Sequence, residues 1–126
     1  MPVEKLLLSL HAQPSRVGFL QLVTAIEYVL QHPETTSITQ EIYPAVAKAY
    51  GTSPACIDHN LRRVIRDVWR YADRRRLAAL FPNPDLFRPS NKAFIFAIAS
   101  HIRLRRRAQW PPPSPDAPCG EPPAPP

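Results

Sequence analysis

At 126 residues the chain has room for one domain, and its 44% apolar content is enough for a real core. Three glycines exclude a glycine-rich phosphate loop, and the two cysteines, Cys56 and Cys119, with no CxxC pair or Cys/His cluster, give neither a disulfide framework nor a zinc site. The net charge of +6 is unevenly spread: residues 51–110 carry thirteen basic and four acidic side chains, residues 1–50 three and four, and residues 111–126 two acids only. The basic half is a footprint for a polyanion. It suits a membrane surface poorly, because no large apolar groups flank its arginines for insertion.

Apolar residues recur at helical spacing nearly throughout, and alternating β-branched runs are absent. The expected fold is therefore all-α, a compact bundle of about six helices. Glu4 to His11 reads as a short helix offering Leu6, Leu7 and Leu10 to the core. It is too short to span a bilayer and lacks the flanks of a signal peptide. Pro14 and Ser15 break it. Arg16 to Gln31 follows as a longer helix, with Phe19, Leu22, Val23, Ile26, Val29 and Leu30 in an i, i+3, i+4 pattern. Pro33 closes it, and Thr35, Thr36 and Ser37 form a polar loop. A helical turn from Ile38 to Tyr43 leads to Pro44, where a new helix begins and runs to Tyr50, since proline is favourable only in a helix's first turn.

The centre of the chain is the most informative part. Gly51-Thr52-Ser53 is a tight turn, and Ser53 and Pro54 are placed as N-cap and first residue of a helix from Pro54 to Asp73. Two helices joined by about 3–4 residues with a glycine are a helix-turn-helix. At about 100° per residue, Ile57, Leu61, Val64, Ile65, Val68 and Ala72 share one side. Ala55, His59, Arg62, Arg63, Arg66 and Arg70 share the opposite side, and Asp58 and Asp67 lie on the flanks. Trp69 sits beside the apolar stripe and reads as core. Such a helix is a candidate for the DNA major groove.

Arg74, Arg75 and Arg76 end that helical region, and Leu77 to Phe81 adds one more turn. Residues 81–89 form an irregular loop with three prolines. The last helix starts at Ser90 or Asn91 and ends in Arg105, Arg106 and Arg107, which suits a helix C-terminus. Nine of the sixteen residues 111–126 are proline, so that segment reads as a disordered tail behind a domain spanning 1–110. No nucleophile–base–orienter set or carboxylate pair emerges, so an enzyme is not expected.

Three segments carry a resemblance: S-I-T-Q-E-I-Y-P-A-V-A-K-A-Y-G-T at 37–52, I-D-H-N-L-R-R-V-I-R-D-V-W at 57–69 and R-P-S-N-K-A-F-I at 88–95. In order and spacing they resemble the C-terminal DNA-binding domain of the sporulation regulator family, stage-zero sporulation protein A. The resemblance implies six helices around a central helix-turn-helix, binding to a short, partly AT-rich promoter element, and pairing of two copies on tandem elements. The family's regulators also carry an N-terminal receiver domain. Only some fifteen residues precede the second helix here, so the chain reads as a free-standing effector domain. Where the family presents arginines and a glutamate to bases, this chain has Cys56, Asp58 and His59, while Arg62 and Arg63 match family contacts to DNA. A cysteine cannot make the bidentate guanine contact of an arginine, so the sequence read is expected to differ.

The expected function is sequence-specific regulation of transcription in the bacterial cytoplasm, at the nucleoid, by insertion of helix 54–73 into the major groove. The candidate DNA-binding set is Ser53, Ala55, Cys56, Asp58, His59, Arg62, Arg63, Arg66 and Arg70, with Arg74, Arg75 and Arg76 as a candidate phosphate clamp. The expected partners are double-stranded DNA and a second copy on tandem sites, with no cofactor, metal, membrane or small-molecule ligand. The runner-up is a protein-interaction module that pairs with a full-length sporulation regulator and titrates it.

Overall fold

The computed structural model describes residues 2–81, 84 and 88–109. The tail 111–126, with Cys119, and most of the loop over 81–89 lie outside the described residues. Six α-helices follow one another: α1 (Val3–Ser9), α2 (Gly18–Gln31), α3 (Tyr43–Tyr50), α4 (Pro54–Tyr71), α5 (Arg74–Leu80) and α6 (Asn91–Gln109). Among the described residues there is no strand. The fold is the all-α helix-turn-helix bundle that the apolar spacing predicts.

The central helix is α2, which packs along both α4 and α6. Phe19, Leu22, Val23, Ala25, Ile26 and Val29 are buried on it, against Ile57, Leu61, Val64, Ile65 and Val68 of α4 and Phe94, Ile95, Ile98, Ala99 and Ile102 of α6. The close approach depends on Gly18. A Cβ at that position would stand 2.4 Å from the Asn60 carbonyl oxygen. Starting α2 at Gly18 rather than Arg16 also frees Arg16, whose Nε lies 2.7 Å from the buried Asp67 carboxylate. The side chains of Gln21 and Asn60 complete this seam, with Asn60 Nδ2 donating to Gln21 Oε1 at 3.1 Å.

Two further elements differ from the sequence-based expectation. The turn before α3 is a π turn, Ile38–Ile42, in which the amide of Ile42 reaches the Ser37 carbonyl at 3.3 Å. Pro44 supplies the reason. Its ring would clash with the carbonyl four residues back in a regular helix, and a widened turn moves that carbonyl away. The second difference corrects the end of the long helix. α4 stops at Tyr71, Ala72 is extended at ψ 149°, and Asp73 caps α5 by accepting from the Arg75 amide at 2.8 Å. Arg74, Arg75 and Arg76 therefore open α5 rather than close α4.

Trp69 belongs to the core. Its ring meets Phe81 edge-on at 5.0 Å, Phe81 stacks on Phe94 at 5.5 Å, and Trp69 Nε1 donates to the Pro84 carbonyl at 2.9 Å.

Gly18→Ala should lower stability by about 1–3 kcal/mol in urea unfolding, because a side chain there overpacks a backbone contact. The helical circular dichroism of the native state should be retained. A variant as stable as the parent would contradict the close approach of α2 to α4.

Candidate nucleic-acid interface

The helix-turn-helix is built by three local devices. Gly51 takes the left-handed conformation at φ 64° and ψ 38°, and the Thr52 amide closes back on the Ala47 carbonyl at 3.0 Å. Ser53 accepts from the Cys56 amide at 3.2 Å, which satisfies one of the first amides of α4, and Pro54 occupies the first helical position. Burial then fixes the rotation of α4. Ile57, Leu61, Val64, Ile65 and Val68 are each at most 1% exposed. Ala55, Cys56, His59, Arg62, Arg63, Arg66 and Arg70 are all exposed, and Ser53 is exposed at the cap. The surface α4 offers to solvent is thus a strip of arginines with small and polar groups at its N-terminal end. Hydrogen bonds from Ser53 and then Thr52 hold the exposed Cys56 thiol below its ordinary pKa.

Both aspartates of α4 have structural partners. Asp67 is 3% exposed and held by Arg16. Asp58 is half-buried at the centre of a network. It accepts from Tyr43 Oη at 2.7 Å and from Arg62 at 2.7 Å. Asn91 Nδ2 reaches the Asp58 carboxylate at 3.2 Å, the Asp58 carbonyl at 3.0 Å and Tyr43 Oη at 2.9 Å. The first residues of α3 and α6 thereby meet on the second turn of α4. Sequence reasoning missed Tyr43 and Asn91, although both lie in the segments that carry the family resemblance. Asn91 is bound into this network, while Ser90 serves as the cap, its Oγ accepting from the Ala93 amide at 3.1 Å. Burial, assisted by the bond and charge of Asp58, pushes the Tyr43 hydroxyl up to about 12.

The three arginines of α5 divide. Arg74 donates to the Trp69 carbonyl at 2.9 Å and so satisfies the end of α4. Arg76 reaches the Ser9 carbonyl of α1 at 3.4 Å. Arg75 is exposed.

Residues 3–102 match the family described as Sporulation initiation factor Spo0A C terminal. The chain belongs to that family. It is a DNA-binding effector domain of sporulation regulators. Two other features bear on this Spo0A C-terminal domain's chemistry. Among the described residues no cluster of His, Cys, Asp and Glu could hold a metal ion. No helix among them is long and apolar enough to cross a membrane.

Tyr43 gives this site a pH signature. The unfolded chain loses the Tyr43 proton near pH 10 and the folded domain near 12. The stability Tyr43 contributes is therefore full below pH 10 and falls as pH rises to 12. Urea midpoints measured from pH 9 to 12 should decline less steeply in Tyr43→Phe than in the parent. Absorbance titration should show one tyrosine near pH 12 that the variant lacks. Equal slopes with no late-titrating tyrosine would contradict the network.

Proposed function

We propose that α4 enters the major groove of DNA and that the domain reads a short promoter element through the first turns of that helix. The observation that carries this reading is the strip of exposed arginines opposite the fully buried stripe of α4, whose burial fixes the rotation of the helix. Arg63, Arg66 and Arg70 neutralise phosphates along the groove walls and fix register. Ala55, Cys56, His59 and Arg62 face the base edges, where a methyl group meets thymine and Arg62 meets guanine. Ser53 caps the helix beside the nearest phosphate. Asp58 acts through Arg62: its carboxylate orients the guanidinium at 2.7 Å. In this reading Arg75 takes a flanking phosphate, since Arg74 and Arg76 also donate to carbonyl groups.

Two copies on tandem elements pair near α6, whose Leu104 is 65% exposed. Action on promoters places the protein in the bacterial cytoplasm, at the nucleoid. The runner-up role, titration of a full-length regulator, would use the same α6 surface without DNA.

The test is the double variant Arg63→Ala/Arg66→Ala, both side chains being exposed. DNA affinity should fall at least tenfold with the helical spectrum unchanged. The slope of log affinity against log salt should flatten by about two units, roughly one per lost phosphate contact. Parent-like binding and slope would remove the groove-facing role of this surface. An absence of DNA binding by the parent itself, with capture of a full-length regulator, would establish the titrating role instead.

A further inference from the structure

One surface feature lies beyond the strip of α4. A groove of about 440 Å³ opens between the π turn, α4 and the start of α6, lined among others by Thr39, Asp58, Arg62, Arg88, Ser90 and Lys92. Three cations and one carboxylate line it. The carboxylate is already engaged, since Asp58 accepts from Tyr43, Arg62 and Asn91. Arg88 and Lys92 are exposed and have no ion pair among the described residues. One wall is the first turn of α6, a helix of 19 residues, where Ser90 already accepts from the Ala93 and Phe94 amides and the positive end of the helix dipole remains. Helix start and cations act on an anion with the same sign.

Arg62 fixes where this groove lies relative to DNA. It belongs both to the exposed strip of α4 and to the lining of the groove. The groove therefore borders the strip on one long side. A duplex that receives α4 in its major groove brings a sugar–phosphate strand to each side of that helix.

We propose that this groove seats a phosphate of the DNA backbone, held by Arg88 and Lys92, while Arg62, paired with Asp58, only borders it and stays with the base edges. The proposal rests on the major-groove reading of α4 and extends it to a second element, the start of α6. Because Asn91 ties α6 to Asp58, the clamp and the reading helix move as one body. The phosphate contact sets the register of α4 and carries no base preference of its own.

The test compares the parent, Arg88→Ala/Lys92→Ala, Arg63→Ala/Arg66→Ala and the charge control Lys5→Ala on the duplex recovered from a random pool. Arg88→Ala/Lys92→Ala should bind about tenfold more weakly, with a log–log salt slope lower by about one unit and the same recovered consensus. Lys5→Ala should bind as the parent does. A scan of single methylphosphonate linkages should find one position where removing the charge weakens the parent about tenfold and leaves Arg88→Ala/Lys92→Ala unaffected. If Arg88→Ala/Lys92→Ala binds as the parent does while Arg63→Ala/Arg66→Ala fails, the clamp is wrong and the major-groove reading stands. If Arg63→Ala/Arg66→Ala binds as the parent does, the underlying reading is wrong. A changed consensus in Arg88→Ala/Lys92→Ala would assign these residues to base readout and overturn the clamp. Inorganic phosphate titrated into the parent should shift the Ser90 and Lys92 amide resonances only at millimolar concentration. Saturation at micromolar phosphate would overturn the assignment in favour of a free-anion site.

Discussion

The rest of the structure depends on one carboxylate. Asp58 holds the first residue of α3, the first residue of α6 and its own neighbour Arg62 at once. Helix α4 alone could slide or rotate against a smooth apolar neighbour, and one residue of slip would turn its surface by about 100°. The buried stripe resists rotation, and the Asp58 network fixes the N-terminal half against two other helices. Arg16 and Asp67 do the same near the other end. Removing Asp58 would leave Tyr43 and Asn91 with lost or unsatisfied bonds in a buried place, a cost of about 1–3 kcal/mol. Its effect on binding would come through geometry, since the strip of arginines is only as well aimed as the helix that bears it.

The distribution of positive charge follows a related economy. Part of the arginine content serves helix ends. Arg74 satisfies the Trp69 carbonyl, Arg76 reaches the Ser9 carbonyl and Arg103 donates to the Val29 carbonyl near the end of α2. Arginines at the start of α5 stand against that helix's dipole, and Asp73 as cap offsets this. The formal charge of the basic half therefore overstates the charge that faces a ligand. What faces outward lies on α4, around the start of α6 and at its far end, where Arg105, Arg106 and Arg107 are exposed.

Much of this was legible in the sequence because it is written locally. Gly51, Ser53 and Pro54 state the turn and the helix start. The spacing of Ile57, Leu61, Val64, Ile65 and Val68 states which side of α4 is buried, and the arginines follow by exclusion. Contacts between distant segments were not legible in the same way. Asp58 and Asp67 read as flanking charges because their partners, Asn91 and Arg16, are 33 and 51 residues away. Gly18 gave no local signal, since its need for a missing side chain arises only where Asn60 arrives. The break at Ala72 was hidden by good helix formers on both sides, and the cap that decides it, Asp73, reads equally well as one more charged residue on a long helix. The Y-P and P-x-N pieces of the resemblance were the available clue, for their tyrosine and asparagine are the pair that meet on Asp58.

The most direct measurement of the central claim is an isotope-filtered nuclear Overhauser experiment on the domain bound to its selected duplex. With α4 in the major groove, the Ala55 methyl and the His59 ring protons should contact thymine methyl, cytosine H5 or purine H8 protons, which lie on the major-groove edge. Contacts from these residues only to sugar protons, or base contacts arising from another helix while α4 shows none, would contradict it.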